Sequence, residues 1–505
     1  MLLPVLAQTT DNSLIEFVRP HIDWHAFAPE LILLAWGALV TIIDLIGLER
    51  TRRLMPPLTG IGFLLAVIPV LTLWEQSEDL PRVLFDGAYV VDHYALVLKA
   101  LFLISAYVVV LISTQYMADG DYYDSEYYQL ISASVLGMLV MSSARDLVSI
   151  FIALELVSIP AYLMAAWRKR DLKSNEAGLK YMLMGVFSSG ILLYGMSMLY
   201  GGAADTRLVV IGEALQGEST TPFLIIGSLF TLIGFAFKVS AVPFHTWAPD
   251  TYEGAPTPLT AFLAVLSKTA GFVGLISIIL FALPEMANVV QPFMWILAAA
   301  TMTIGNLIAL RQTNLIRMLA YSGIAQAGYM LAPLAVYGDV PDSVQSSIVA
   351  YLIIYAAMNL GAFAVAIVGA RKTRSAEISS FGGMFNYAPG LTAAMTVFLF
   401  SLTGIPPMGG WLAKFQIFNA LLEPGTIAGT SLAVVAAINS VIAAWYYLNV
   451  ARQMWFLPAP DGDNSPIKIP ASLTAAIGIA VVITFITGIG LVVLDVTDFA
   501  QLAAG

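Results

Sequence analysis

The chain has 505 residues, of which 59% are hydrophobic and only 11% charged, with a formal net charge of −10. A mean hydropathy of +0.83 leaves too little polar surface for a soluble fold of this length, so the expected class is an all-α polytopic membrane protein. A pI near 4.9 argues against a nucleic-acid partner, and the lack of cysteine removes disulfides, iron–sulfur clusters and covalently attached haem.

The first residues, MLLPVLAQTT, carry no positive charge and too short an apolar run to read as a signal peptide. Fourteen apolar segments follow, each close to the roughly 20 residues a membrane span needs. They cover about 29–48, 55–74, 94–117, 127–144, 147–167, 176–200, 222–247, 256–283, 290–311, 313–335, 345–370, 389–421, 427–455 and 470–494. The seventh and twelfth run long because each contains a helix break. Pro243 removes a backbone donor and clashes with the preceding turn in one; GIPPMGG (404–410) interrupts the other. Backbone groups freed inside a bilayer must face protein or water, so both breaks are expected away from lipid.

Charges inside these segments are costly, by roughly 3 kcal/mol on insertion scales, and mark function by default. In chain order, Glu30 and Asp44 at the ends of the first span are ambiguous. Lys99, within two turns of the outer end of its span, reads equally as a snorkelling side chain. Arg145 and Asp146, in a very short turn, read as a local ion pair. Glu155, in the middle of the fifth span, is either a neutral acid bonded to a neighbour such as Ser158 or an ionised partner for a buried lysine; the embedded lysines favour the latter. The run RKRDLKSNEAGLKY (168–181) is most simply a cytoplasmic anchor. Lys238 and Lys268 stand 30 residues apart on consecutive helices joined by the first break. His245, the one embedded histidine, either bridges a water chain or ties off the interrupted helix. Lys268 lies too deep in its span to snorkel. Lys414 follows the second break, with binding of freed carbonyls as its structural alternative. All four embedded cations are lysines; lysine suits a proton relay because desolvation can bring an amine towards neutrality, whereas arginine stays charged. His21, His25 and His93 lie outside the spans, and electrons are not expected to pass through this chain.

Of the remaining basic residues, 15 fall on the loops after odd-numbered spans and only four (Arg19, Arg82, Arg145 and Arg207) on the opposite side. This asymmetry places both termini outside the cytoplasm. The acidic loop DGDYYDSE (119–126) falls on the inner side, where acidic residues weigh little. A faint repeat lays residues 143–164 on 310–331, matching Tyr162 to Tyr329. The two units lie an odd number of spans apart, so they would be inverted, with paths at the midplane as in many transporters.

Three blocks, ALELVSIPAYLMAAWRKRDLKSNEAGLKYMLMG, FKVSAVPFHTWAPDTYEGAPTPLTAFLAVLSKTAGF and SLTGIPPMGGWLAKF, closely resemble the antiporter-like membrane subunits of respiratory complex I, over most of the chain. The resemblance implies about 14 transmembrane helices with two inverted five-helix repeats and broken helices 7 and 12. The implied divisions are residues 1–126 (N-terminal segment and helices 1–3), 127–283 (first repeat, helices 4–8), 290–455 (second repeat, helices 9–13) and 456–505 (last helix and C-terminus). By the same likeness Glu155 matches the fifth-helix glutamate, and Lys238, Lys268 and Lys414 the lysines of helices seven, eight and twelve. Lys414, where the M-type carries glutamate, and the lack of a long lateral helix after the last span point to the N-type branch. Residues up to about 28 depart from the family.

The implied function is proton translocation through buried Glu/Lys relays, coupled to quinone reduction elsewhere in a complex. NADH, FMN, iron–sulfur clusters and quinone are then expected in partner subunits and no cofactor or metal in this chain. Expected partners are another antiporter-like subunit, small membrane subunits on the quinone side, and lipid. The implied site is a bacterial plasma membrane, ahead of an organellar one. A sodium/proton antiporter module of the same fold stays open as the alternative; a purely structural scaffold leaves the deep lysines unexplained. A pump subunit would co-purify with quinone reductase activity, a free antiporter would not. The topology makes a direct prediction: a reporter fused after Gly505 is active only outside the cytoplasm, and cytoplasmic activity would defeat the fourteen-span reading.

Overall fold

The structure is a computed structural model that describes residues 22–47, 53–76, 80–120, 125–216, 221–460 and 462–489. The readings that involve Arg19, His21, Arg50, Arg52 and the chain ends lie outside these residues. Helix dominates. The main helices are α1 (Ala28–Ile46), α2 (Met55–Glu75), α3 (His93–Asp119), α4 (Glu126–Ser143), α5 (Leu147–Ala165), α6 (Leu172–Ala203), α7 (Pro222–Lys238), α8 (Trp247–Gly254), α9 (Thr257–Ala282), α10 (Ala287–Ala309), α11 (Leu315–Leu331), α12 (Pro341–Thr373), α13 (Pro389–Thr403), α14 (Gly409–Leu422), α15 (Ile427–Phe456) and α16 (Ala471–Gly488). Between α2 and α3 a small hairpin pairs β1 (Arg82–Leu84) antiparallel with β2 (Tyr89–Val91).

Eleven of the described helices are long and apolar enough to cross a membrane. The other three apolar segments expected from the sequence fall on α4, on α7 followed by α8, and on α13 followed by α14. Helix starts follow ordinary chemistry. Proline occupies the first turn of α1, α2, α7, α12 and α13, where its missing N–H is no loss, and the side chains of Asp92, Asp146, Asp171, Asn314 and Thr426 cap α3, α5, α6, α11 and α15.

Three helices form the centre. In α9, α12 and the α11 segment, 94% of the most apolar window is buried inside the protein, against 22% for α1 and 33% for α15 and α16. In a bilayer this sorting decides where polar side chains can stand, because only the enclosed helices can satisfy them with protein groups.

One backbone device occurs twice. After α6, Ala204 is left-handed (φ 55°), and two residues on the chain bonds back across the start of α5: Leu147 N–H donates to Thr206 O at 2.8 Å and Leu208 N–H to Arg145 O at 2.9 Å. After α12, Arg374 is left-handed (φ 54°), and Leu315 N–H donates to Ala376 O and Ile378 N–H to Thr313 O, both at 2.7 Å. Asp146 caps the first of these helix starts and Asn314 the second. The matching positions stand one residue off the register read from the sequence.

Candidate functional site

Both helix breaks are closed by protein groups. α7 stops at Lys238, and residues 239–246 form turns before α8. Trp247 Nε1 donates to Phe237 O at 3.1 Å, and Val242 N–H donates to Thr301 Oγ1 at 3.0 Å. At the second interruption, Gly404 takes φ 92° after α13. Gln326 Nε2 donates to Leu402 O at 3.0 Å, Lys414 Nζ donates to Thr403 O at 2.8 Å, and Gly410 N–H donates to Ser401 Oγ at 3.0 Å. These bonds are the internal satisfaction that interrupted backbone inside a bilayer requires.

The four predicted charges sit around the central helices. Lys238 is buried and donates to Ser158 Oγ at 2.6 Å. Glu155, half-buried one turn earlier on α5, accepts from Ser189 Oγ on α6 at 2.5 Å, so Ser158, the neighbour named in the neutral-acid alternative, serves Lys238 instead. Ser158, Ser189 and Lys238 all line one small cavity of about 10 Å³, about the room a single water takes. The carboxylate and the ammonium thus stand apart, each on a serine.

Lys268 is buried on α9, directly after a π-helical turn (Leu263–Ser267), a deviation that recurs at functional sites. Its Nζ donates to Gly323 O of α11 at 2.6 Å and lies 6.0 Å from the centre of the Tyr355 ring of α12. Gly323 permits this approach: a Cβ there would stand 3.1 Å from Tyr355 Oη and 3.2 Å from the ammonium. Three residues beyond Lys268, Gly271 makes room for the stem of Lys238, whose Cγ would be 3.0 Å from a Cβ at that position. α9 therefore touches both lysines within one turn.

Lys414 is buried on α14, 4.7 Å from the Tyr329 ring centre and 3.3 Å from Ser440 Oγ besides its bond to Thr403 O. The carbonyl-binding alternative for Lys414 is thus part of its geometry. Between Lys268 and Lys414 lies a polar group that the sequence reading missed. Ser322 Oγ bonds Tyr447 Oη at 2.5 Å, Gln326 Nε2 donates to the same oxygen at 3.2 Å, and Tyr351 Oη donates to Gln326 Oε1. Tyr329 Oη and Ser440 Oγ are 2.9 Å apart. Ser322 adjoins the Gly323 carbonyl held by Lys268, and Leu402, bound by Gln326, adjoins the Thr403 carbonyl held by Lys414. The signal was present as spacing: Ser322, Gln326 and Tyr329 recur at helical intervals along one face of α11, as do Tyr351, Tyr355 and Asn359 on α12.

His245 is partly buried in the turn after α7; its Nδ1 is enclosed without a hydrogen-bond partner among the described residues. Among the described residues no cluster of three or more metal-ligating side chains occurs.

Two buried cations are held differently. Lys99 is fully buried and does not snorkel: Nζ stands 2.9 Å from Glu30 Oε1 and 2.9 Å from Tyr89 Oη, which itself donates to Glu30 Oε1 at 2.7 Å. Arg145 does not pair with Asp146, which caps α5, but with Asp92 Oδ2 at 2.9 Å, and both partners are buried. By contrast, among the described residues no carboxylate stands within 4.0 Å of Lys238, Lys268 or Lys414; each is held by hydroxyl or carbonyl oxygens. This difference predicts opposite mutational behaviour. Glu30→Gln strands the Lys99 charge and should cost about 3–5 kcal/mol. Lys268→Met removes a cation with no counter-charge, so thermal unfolding of the assembled protein should be unchanged or shifted upward. A destabilised Lys268→Met protein would make Lys268 a structural residue.

A family model for the NADH:quinone oxidoreductase/Mrp antiporter transmembrane region matches residues 144–440. The NADH-quinone oxidoreductase subunit N of Trichlorobacter lovleyi is 38% identical over 91% of this chain and 93% of its own length. The NAD(P)H-quinone oxidoreductase subunit 2 of Synechocystis is 39% identical over 84% of this chain and 81% of its own. Among solved structures, a chain of respiratory complex I from Thermus thermophilus superimposes with a TM-score of 0.77 at 29% identity, covering 92% of this chain and 98% of that one. A chain of the Mrp complex from a Dietzia species shares the fold, with a TM-score of 0.83 at 17% identity over 96% of this chain and 97% of that one. The chain belongs to the NADH:quinone oxidoreductase/Mrp antiporter family of membrane subunits, on the branch of the subunit N proteins.

Proposed function

We propose that this chain is a proton-translocating membrane subunit of an NADH–quinone oxidoreductase, and that Glu155, Lys238, Lys268 and Lys414 form its relay. The observation that carries the relay is the way the three lysines are held. Ammonium groups enclosed among neutral oxygens can pass a proton without breaking an ion pair, whereas Lys99 and Arg145 are locked to carboxylates. The chain holds no redox group in this reading; NADH, FMN, iron–sulfur clusters and quinone belong to partner subunits, among them another antiporter-like subunit.

Fourteen spans in a bacterial plasma membrane, with both termini outside, complete the proposal. Residues 127–283 and 290–455 are its two inverted repeats, with α7–α8 and α13–α14 as the interrupted helices. The twice-occurring bridge after α6 and α12 supports the repeat, and the odd number of spans between its copies supports the inversion.

The separation of Glu155 from Lys238 by a cavity-lining pair of serines suggests how the first step is controlled. When Glu155 leaves Ser189 and approaches Lys238, it favours the protonated amine; when it returns, that support is withdrawn. His245, close to the same break, keeps an unpartnered Nδ1 and is the further candidate of this step. Proton transfer coupled to NADH oxidation, measured in membrane vesicles, should fall below half of wild type in Glu155→Gln and in Lys238→Ala while the complex still assembles. Normal proton yield in both variants would reduce the pair to a structural feature.

A further inference from the structure

Two cavities lie one above the other along a single seam. The first is an apolar groove of about 330 Å³ between α2, α3, α12 and α16, running past Leu101, Ile104 and Val108 of α3, Ala357 and Leu360 of α12 and Ile479 of α16. Ser105 and Trp74 are its only lining side chains with a polar atom. The second, of about 390 Å³, is formed farther along the same three helices, by the end of α3 from Gln115, the end of α12 from Ile367, and Leu473 of α16. From Val108 to Gln115, and from Leu360 to Ile367, the step along the helix is about 10 Å.

The second cavity is cationic. Arg168, Arg371 and Arg374 line it against one carboxylate, Asp119. Asp119 Oδ2 pairs with Arg371 at 2.7 Å, and Arg168 donates to Gly254 O at 2.7 Å and pairs with Asp171 Oδ2 at 3.4 Å. Arg374 is exposed, presented by its left-handed backbone at the end of α12, and has no ion-pair partner among the described residues. All three arginines lie on the side that the basic asymmetry assigns to the cytoplasm.

A cationic recess placed about 10 Å above an apolar groove matches one kind of molecule in a membrane: an amphiphile with an anionic head and a long hydrocarbon chain. We propose that this seam binds a single anionic phospholipid, its phosphate between Arg168, Arg371 and Arg374 and an acyl chain running along α3 and α16 into the groove. Arg374 supplies the unpaired charge and Arg168 and Arg371 the walls. α12 is the floor of the groove, and it also carries Tyr351 and Tyr355, which reach Gln326 and the Lys268 ammonium. The lipid thus lies against the outer side of a helix whose inner side faces the lysines.

The test uses the purified intact complex in nanodiscs of phosphatidylglycerol diluted in phosphatidylcholine, with bound lipid counted by native mass spectrometry of the released assembly. The Arg371→Gln/Arg374→Gln variant should bind phosphatidylglycerol more weakly by about fivefold per arginine, about 25-fold for the pair, with phosphatidylcholine unaffected. Ala357→Phe, which fills the groove and leaves the arginines, should shorten the residence of long-chain phosphatidylglycerol but not of a short-chain analogue. A photo-crosslinking amino acid in place of Ile104 should label lipid in the wild-type complex, which keeps the test informative if a variant fails to assemble. Crosslinking to a neighbouring subunit would assign the seam to a protein partner and overturn the proposal. So would equal loss of both lipids, or full occupation of the recess by inorganic phosphate alone.

Discussion

Three ammonium groups enclosed by protein and held only by hydroxyl and carbonyl oxygens are the constraint on which the rest of this structure depends. An ion without a counter-ion is expensive to enclose, so each lysine needs oxygen acceptors from the segments packed around it. One interruption supplies such an acceptor to Lys414, while a serine hydroxyl and a carbonyl within a continuous helix serve Lys238 and Lys268. The carbonyl of Thr403 is free for Lys414 because α13 stops there, and Lys238 stands as the last residue of α7, turned toward Ser158. Lys268 takes the Gly323 carbonyl across a position where no side chain intervenes. Shielding such groups from lipid requires helices that are themselves enclosed, which accounts for the near-complete burial of α9, α11 and α12.

The same chain shows what a purely structural solution to a buried cation looks like. Lys99 and Arg145 each sit against a carboxylate at 2.9 Å, with further hydrogen bonds around them. Such pairs hold segments in place: Glu30 and Lys99 tie α1 to α3, and Tyr89 joins the hairpin to both. They are poor conductors for the reason that makes them good clamps, since moving either proton or side chain leaves a charge unbalanced.

Much of the site was legible in the sequence because charge inside an apolar run is conspicuous. Glu155, Lys238, Lys268 and Lys414 needed no structure to be singled out, and Pro243 and GIPPMGG marked the interruptions. What was not legible depends on partners far apart in sequence. Arg145 invited pairing with adjacent Asp146, but Asp146 has two backbone N–H groups to cap and a Thr206 hydroxyl to accept from, so the arginine reaches 53 residues back to Asp92. Lys99 looked able to snorkel because the sequence could not show the hairpin and α1 closing over it. Ser189 could not be assigned to Glu155 without knowing how α5 and α6 face each other. The polar face of α11 is a different case: its periodicity was visible, yet Ser, Gln and Tyr carry no charge, and so drew no attention among so many apolar residues.

In the proposed relay Lys268 works by releasing and regaining a proton rather than by being positive, and Lys268→Arg separates the two. Arginine keeps the charge and its donors near the Gly323 carbonyl, but it scarcely gives up its proton. Proton uptake and quinone reduction should be followed together in vesicles carrying this variant. The relay predicts that proton transfer per quinone reduced falls well below wild type in a complex that assembles normally. Wild-type values for both rates would contradict it and leave Lys268 with an electrostatic role alone.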